Sequence, residues 1–278
     1  SRNISGELSW STDFNYSKNK NEVIALGGEN EPIYSKGSAG VRHITRVGDA
    51  VGSYYGWVVE GIYQSQSEID SAPTDKMAKA PRPGDFRFKD VNGDGIIDSD
   101  DRTITGSYNP DYIWGITNRF KYKNFDLSIF FQGVEGREIL NLTARHMKNG
   151  EANFNSYDVL NNRWISESQP GDGKTPRADR STGTHGNNNR PSSYQVEDGS
   201  YARLKNLTIG YTLPKSMSEK YADNIRLYFT AKNLATWTDY IGFNPEVSLQ
   251  SQNMLTQGED YGAYPLSVSL VFGFNVTF

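Results

Sequence analysis

The chain ends on a stretch of strict alternation. In Leu266-Ser-Val-Ser-Leu-Val-Phe-Gly-Phe-Asn-Val-Thr-Phe278, the residues Leu266, Val268, Leu270, Phe272, Phe274, Val276 and Phe278 share one face of a strand. Ser267, Ser269, Val271, Gly273, Asn275 and Thr277 share the other. The first face is wholly apolar. The second is small and polar apart from Val271. A strand buried on both sides of a soluble core is apolar on both faces instead. A soluble domain also rarely stops in mid-strand on an aromatic, whereas a closed transmembrane β-barrel does, because its last strand pairs with its first and leaves no edge. An amphipathic edge strand of a soluble sandwich has the same alternation, and this stretch alone leaves both open.

The same period recurs along the chain. Leu8, Trp10, Thr12, Phe14 and Tyr16 alternate with Glu7, Ser9, Ser11, Asp13, Asn15 and Ser17. Lys18-Asn-Lys-Asn21 predicts a turn, and Val41, Ile44 and Val47 mark a weaker strand within Pro32–Val47. Tyr112, Trp114, Ile116, Phe120 and Tyr122 share a face that Asn118 interrupts. After a tight turn at Lys123-Asn124, the residues Phe125, Leu127, Ile129 and Phe131 complete a hairpin. Tyr201–Leu213 and Asn224–Leu234 make the next pair, followed by the closing strand. Short helices are expected within Ile139–Lys148, Ser156–Ser166 and Pro214–Ala222.

The expected fold is therefore all-β: about seven antiparallel strands of a transmembrane barrel, joined alternately by short turns and long segments. The long segments are 48–109, 134–199 and 235–264. Short periplasmic turns and long extracellular loops give this asymmetry. A soluble sandwich has no reason to gather its long loops at one end. Seven is an odd count and single-chain bacterial barrels are even, so other strands must complete this one. The chain starts in strand-like sequence at Ser1 without a leader, which suggests the C-terminal part of a longer protein.

Composition agrees. A net charge of −4 and the lack of a basic run argue against a nucleic-acid partner. With no cysteine, disulfides, zinc-thiolate sites and cysteine nucleophiles are excluded. The mean hydropathy of −0.67 is low for a helical membrane protein, and no run approaches the roughly 18 apolar residues that a spanning helix requires. A barrel hides its hydrophobicity in alternation, so a low mean is compatible with one.

The sharpest local motif is Asp90-Val-Asn-Gly-Asp-Gly-Ile-Ile-Asp-Ser-Asp-Asp101. It matches a calcium loop, with Asp90, Asn92, Asp94, the Ile96 carbonyl, Asp98 and Asp101 at the ligand positions and Gly95 at the sharp turn. Calcium takes six to eight hard oxygens, and this spacing supplies them locally. Ile97 is the expected apolar anchor. Asp101 stands where glutamate is usual, and the flanks look extended, so this is not a helix–loop–helix sensor. The role expected of the calcium is structural. The bland alternative is an acidic turn held by Asx hydrogen bonds.

Other signals are weaker. Gly171-Asp-Gly-Lys-Thr175 lacks the first glycine of a phosphate-binding loop, because position 168 is Ser168. His43, His146 and His185 are far apart, and no catalytic triad or metalloprotease spacing is present, so the chain is not expected to be an enzyme. Among the aromatics of the long segments, Tyr54, Tyr55, Trp57, Trp164, Trp237 and Tyr240 are candidates for stacking on a sugar or peptide. The common alternative is that such rings pack their own loops.

Several stretches then carry a family resemblance. Val47-Gly-Asp-Ala-Val-Gly-Ser-Tyr-Tyr-Gly-Trp57, Glu60-Gly-Ile-Tyr63, Pro83-Gly-Asp-Phe-Arg-Phe-Lys-Asp-Val-Asn-Gly-Asp-Gly95 and Gly106-Ser-Tyr-Asn-Pro-Asp-Tyr-Ile-Trp-Gly115 are four of them. Phe130-Phe-Gln-Gly133, Tyr201-Ala-Arg-Leu-Lys-Asn-Leu-Thr-Ile-Gly-Tyr211 and Asn233-Leu-Ala-Thr-Trp-Thr238 are the others. Together, and in this order, they resemble the C-terminal part of SusC/RagA-type TonB-dependent outer-membrane transporters. The resemblance implies a barrel of about 22 strands around an N-terminal plug, of which this chain holds about the last third. It implies a place in the outer membrane of a Gram-negative bacterium and import of oligosaccharides or peptides. It further implies drive from TonB through the absent N-terminal part, and a SusD-like surface lipoprotein as lid. Phe278 matches the terminal aromatic of such barrels, and Val271 departs from the usual polar residue. The competing function is a soluble, secreted, calcium-stabilised β-domain that binds glycans. The two differ in whether Trp10, Phe14, Trp114, Phe131, Phe229 and Phe272 face outward or pack on a second sheet.

Overall fold

The computed structural model describes residues 2–5, 7–77, 80–148, 150, 155–179, 189–249 and 252–278. Its main element is one antiparallel sheet of seven strands in chain order: β1 (Arg2–Ser5), β2 (Leu8–Ser17), β3 (Tyr112–Tyr122), β4 (Phe125–Glu135), β5 (Tyr201–Thr212), β6 (Asn224–Thr238) and β7 (Ser269–Thr277). Neighbours in the chain are neighbours in the sheet, so each connection is a simple return. Short connections follow β1, β3 and β5, and long ones follow β2, β4 and β6. All three long connections therefore leave from the same end.

Two expectations need correction. The stretch Pro32–Val47 is not a strand of this sheet. Ile33–Gly37 and Gly40–Thr45 form a hairpin in a separate four-stranded sheet with Ser53–Gly56 and Thr103–Gly106. Its apolar residues recur every three positions, so it never had the two-residue period that an amphipathic spanning strand needs. β1 takes the vacated place, pairing with β2, and the first long connection is 18–111 rather than 48–109. Secondly, β6 runs to Thr238, so the last connection is 239–268. A bulge between β5 and β6 near Leu204 and Asn206, with Asn233 at φ 54°, shifts the register and hides the continued strand from a simple alternation count.

The register builds the apolar face in rows. Trp10, Phe120, Leu127, Ile209, Phe229 and Phe272 lie side by side across six strands. The row Thr12, Asn118, Ile129, Leu207, Ala231 and Leu270 is largely aliphatic. Asn118, the odd residue there, is satisfied within the face: its Oδ1 accepts from Trp10 Nε1 at 3.1 Å and Thr12 Oγ1 at 2.6 Å. Aromatics flank this middle. Tyr122, Phe125 and Tyr211 lie towards the short turns, and Tyr16, Trp114 and Trp237 towards the long connections. The strand between Trp114 and Tyr122 is roughly 26 Å long. Once tilted, that is close to the apolar band of a membrane barrel with its two girdles.

No second layer covers this face among the described residues. Phe14 is 63% exposed and Phe272 80%, and none of the six diagnostic aromatics joins a buried cluster. The opposite face is polar, with cross-strand pairs of Asp13 with Arg119 and Asp126 with Arg226. β7 pairs only with β6 and forms one edge of the sheet; β1 forms the other. The sheet is thus a two-faced, open segment, as the closing strand predicted.

The buried core lies in the long connections instead. Trp57, Ile62, Phe86, Phe88 and Ile97 form one cluster, Tyr54, Leu140 and Leu142 a second, and Ile139, Tyr240 and Val247 a third. The expected helices are short: Leu142–Met147, a 3₁₀ turn at Asp158–Asn162 and Lys215–Ser218.

Candidate functional site

The acidic loop is held by its own backbone. Asp90 accepts from Gly93 N at 2.6 Å and Gly95 N at 2.8 Å, and Asp94 from Ile96 N at 2.8 Å. Asn92 accepts from Asp94 N at 3.0 Å, and Asp98 from Asp100 N at 2.9 Å. Gly93 and Gly95 have φ of 77° and 81°, a region that side-chain-bearing residues avoid. Ile97 is buried, as anticipated, and anchors the loop in the cluster with Trp57 and Phe86. Ile96 and Ile97 also pair in parallel with Thr74 and Asp75. Trp57 Nε1 donates to the Asp98 carbonyl at 2.8 Å, tying the loop to the layer beneath.

Asp101 differs from the other acids. It is fully buried, and its two carboxylate oxygens accept from Val91 N and Asp98 N, both at 2.8 Å. It clamps the two ends of the loop together. The donors on the accessible rim are Asp90, Asn92, Asp94, the Ile96 carbonyl and Asp98. They are hard oxygens, and one accepted N–H leaves a carboxylate oxygen a further lone pair. The donor chemistry therefore suits a calcium ion. Among the described residues, however, no three acidic or histidine side chains already converge on a metal-sized point.

The six candidate aromatics do not form one site. Three are structural, which corrects the expectation for them. Tyr54 is buried, and its hydroxyl lies 3.0 Å from the Glu138 carbonyl and 3.1 Å from that of Gly258. Trp57 is buried in the cluster beside the acidic loop, and Tyr240 is buried with its hydroxyl donating to Asp260 at 2.5 Å. Trp164 is half-buried against the Trp57 cluster. Trp237 sits on the outer apolar face beside Phe131, with ring centroids 6.3 Å apart. Tyr55 is the one left near solvent with a neighbouring platform: the Tyr34 ring lies 5.5 Å away and the Arg102 guanidinium 4.2 Å over its face.

The connections meet at a buried polar centre with no local sequence signal. His43 and Glu259 are both fully buried, with His43 Nδ1 3.7 Å from Glu259 Oε1. The other Glu259 oxygen accepts from Ser38 N at 2.9 Å and Ser38 Oγ at 2.8 Å. Its carboxylate fills the space that a Cβ at Gly37 would need. Burial holds the His43 pKa below its ordinary 6.5; the Glu259 charge opposes this without overcoming it. His43 is thus neutral in the folded state at neutral pH, while in an unfolded chain it gains a proton as pH falls through about 6.5. The stability this contributes is complete above pH 6.5 and declines below it, by up to about 1.4 kcal/mol per pH unit, until the lower folded-state pKa is passed. Hydrogen-exchange protection of the amides of residues 42–45, corrected for intrinsic rates, should accordingly fall between pH 7.5 and pH 5.5. His43→Gln should flatten that dependence. Equal protection at both pH values would show that His43 does not set it. His146 lines a cavity in the same layer, and His185 lies outside the described residues.

Comparison with known proteins places this architecture. No family model matches the chain. Over all of its length it is 36% identical to the TonB-dependent receptor P3 of Formosa agariphila, of which it covers 28%. It is 34% identical over 98% of its length to the TonB-dependent receptor P26 of the same organism, covering 27% of that protein. The TonB-dependent receptor SusC of Bacteroides thetaiotaomicron is 25% identical over 99% of the chain, which covers 25% of SusC. The chain thus spans about a quarter of the curated relatives it matches. Among solved structures, the RagAB peptide transporter superposes on the whole chain with a TM-score of 0.74 at 21% identity, and the chain covers 28% of the matched protein. The RagAB peptide importer in its open-open state gives a TM-score of 0.72 at 20% identity, over 99% of this chain and 27% of that one. At these identities the structural likeness concerns the fold.

Proposed function

We propose, for a chain that belongs to the SusC/RagA type of TonB-dependent receptor, a place in the wall of an outer-membrane importer. The seven strands supply part of a larger barrel in a Gram-negative outer membrane, and the long connections face outside the cell. Transport of oligosaccharides or peptides requires the rest of the barrel, its plug, TonB and a SusD-like lipoprotein lid. The observation that carries this reading is the uncovered apolar face with its two aromatic rows. The relatives are named receptors, and none of these parts calls for catalysis by this segment.

The soluble glycan-binding alternative requires a second layer over that face, since soluble proteins rarely expose so large an apolar patch. The described residues provide none. Single-tryptophan variants of the full-length receptor, reconstituted with brominated lipids, test the choice. Trp10, Trp114 and Trp237 should be quenched strongly, and Trp57 and Trp164 should not. Indifference of the first three to brominated lipid would refute the membrane reading.

Calcium belongs to the same proposal as a structural ion. Asp90, Asn92, Asp94, the Ile96 carbonyl and Asp98 would hold it, while Asp101 keeps the loop ends together. Calcium should raise the melting temperature of the detergent-solubilised receptor relative to chelator. Asp94→Ala should remove that response and leave the chelated midpoint nearly unchanged. Asp101→Ala should lower both midpoints, with a loss of about 1–3 kcal/mol of stability, because two part-buried amides lose their acceptor. A wild-type melt unaffected by chelator would rule the ion out.

A further inference from the structure

In the four-stranded sheet of the first long connection, Ile33–Gly37 is an edge strand. Its Tyr34 pairs with Ile44, and Ile44 pairs with Ser53 on the next strand. Tyr55 is two residues beyond Ser53, so the pleat brings Tyr34 and Tyr55 to the same face. Their rings stand 5.5 Å apart, with planes tilted by 53°. Tyr34 is 54% exposed and Tyr55 half-buried.

Arg102 joins this pair from the strand on the other side. It directly precedes Thr103–Gly106, whose Ile104 pairs with Tyr55. The Arg102 guanidinium lies 4.2 Å over the Tyr55 ring and 5.0 Å over the Trp57 ring. Its Nη2 donates to the carbonyls of Val41 at 2.7 Å and Tyr55 at 3.1 Å, which fixes the group without neutralising it. Among the described residues no carboxylate pairs with Arg102. The acid next to it, Asp101, has its two oxygens on Val91 N and Asp98 N. Burial lowers the Arg102 pKa, and the groups that oppose this are Tyr55 and Tyr34 rather than an acid. The guanidinium is still charged at neutral pH. Arg46, the other cation felt by Tyr55, is balanced by Asp49. Arg42 and Arg137 also lack acidic partners, but at 2% and 7% exposure they are out of reach of a ligand. Arg102 is only partly covered and stands beside an exposed ring.

We infer that Tyr34, Tyr55 and Arg102 bind an anionic saccharide, with a sugar ring against the tyrosines and its carboxylate or sulfate ester on the guanidinium. The planar fork of arginine suits either oxyanion. A pyranose has a carbon face and a hydroxyl edge, and a tyrosine has an apolar body and a polar tip to match them. Because so much of Tyr34 lies in solvent, the outer hydroxyls of the sugar stay hydrated and incur little desolvation cost. An apolar peptide side chain gains most in an enclosed pocket instead. The assignment rests on the import reading, within which it names the cargo class that this face receives.

Calorimetric titration of the detergent-solubilised, full-length receptor tests it with two matched pairs: trigalacturonate against its methyl ester, and a sulfated galactose disaccharide against the unsulfated one. In at least one pair the anion should bind about tenfold more tightly than its neutral counterpart, and the pair that shows this identifies the anion as carboxylate or sulfate. Arg102→Gln should bring the anion to the affinity of the neutral sugar and leave the latter unchanged, whereas Arg102→Lys should retain part of the difference. Tyr34→Ala, at an exposed position that the fold tolerates, should weaken charged and neutral sugars alike, by about fivefold. No preference for the anion in either pair, or an Arg102→Gln variant that keeps the preference, would overturn the assignment. So would an aspartate-bearing tripeptide that binds more tightly than the sugars and depends on Arg102. Failure of the sugars to bind while brominated lipid still quenches Trp10 would strike this assignment and leave the membrane reading standing.

Discussion

Leu207→Arg should destabilise the lipid-embedded receptor by about 2–4 kcal/mol, while Tyr211→Arg should cost only about 0–1 kcal/mol. Both positions lie on the apolar face of β5, in the same strand. Leu207 belongs to the aliphatic middle row, between Ile129 and Ala231. Tyr211 belongs to the aromatic row near the short turns, between Phe125 and Leu227. A guanidinium at the middle must leave water entirely or thin the bilayer around it, whereas one at the girdle reaches the headgroups. β5 has a full partner on each side, so neither substitution disturbs an edge. Thr208→Arg, on the polar face, separates depth from the mere insertion of a charge and should cost less than Leu207→Arg. Urea unfolding of the three variants in phospholipid vesicles measures the differences. Equal costs at 207 and 211 would mean that the face does not meet a bilayer.

This contrast also explains which parts of the fold were legible in the sequence. A strand with one apolar, uncovered face and one polar face keeps its period of two in plain view. For that reason Leu8–Ser17, Tyr112–Tyr122 and Phe125–Glu135 could be placed. The hairpin at Ile33–Thr45 buries Arg42, His43, Ile44 and Thr45 in succession, lacks that period and was misplaced. β1 is too short for a period to show, and the bulge opposite Asn233 broke the count before Trp237. The acidic loop was legible because its ligand-type residues and glycines are all local. Burial of the aromatics was not, because it depends on distant partners. The Tyr54 hydroxyl meets carbonyls 84 and 204 residues away, and Glu259 faces His43 across most of the chain. No local pattern encodes such meetings, so a sequence reading gives Tyr54 and Tyr55 the same standing although only one of them reaches solvent.

Arg203→Met should destabilise the junction between sheet and loops by about 2–4 kcal/mol, and adding Glu246→Leu should recover most of that loss. Arg203 is 1% exposed, at the end of β5 where the long connections begin. Its Nε donates to Thr236 Oγ1 at 2.8 Å on β6, Nη2 to Asn244 Oδ1 at 3.1 Å, and Nη1 to the Glu246 carboxylate. Glu246 also accepts from the Tyr201 hydroxyl at 2.6 Å and lies 3.4 Å from Lys205 Nζ. One carboxylate of the connection 239–268 thereby ties that segment to three residues of β5. Removing the guanidinium alone leaves Glu246 with less counter-charge in a largely enclosed site, which is why one substitution costs more than two. Glu246 keeps about a quarter of its side-chain exposure, and Lys205 remains, so the loss should fall towards the lower part of the usual range for a buried pair. The loss should be local first. Exchange protection should drop around Tyr240 and Val247, which share a cluster with Ile139, before the strands themselves loosen. If the double variant is no more stable than Arg203→Met, Glu246 is doing more than balancing that charge. The packing of Asn244–Val247 against β5 would then be the stronger tie.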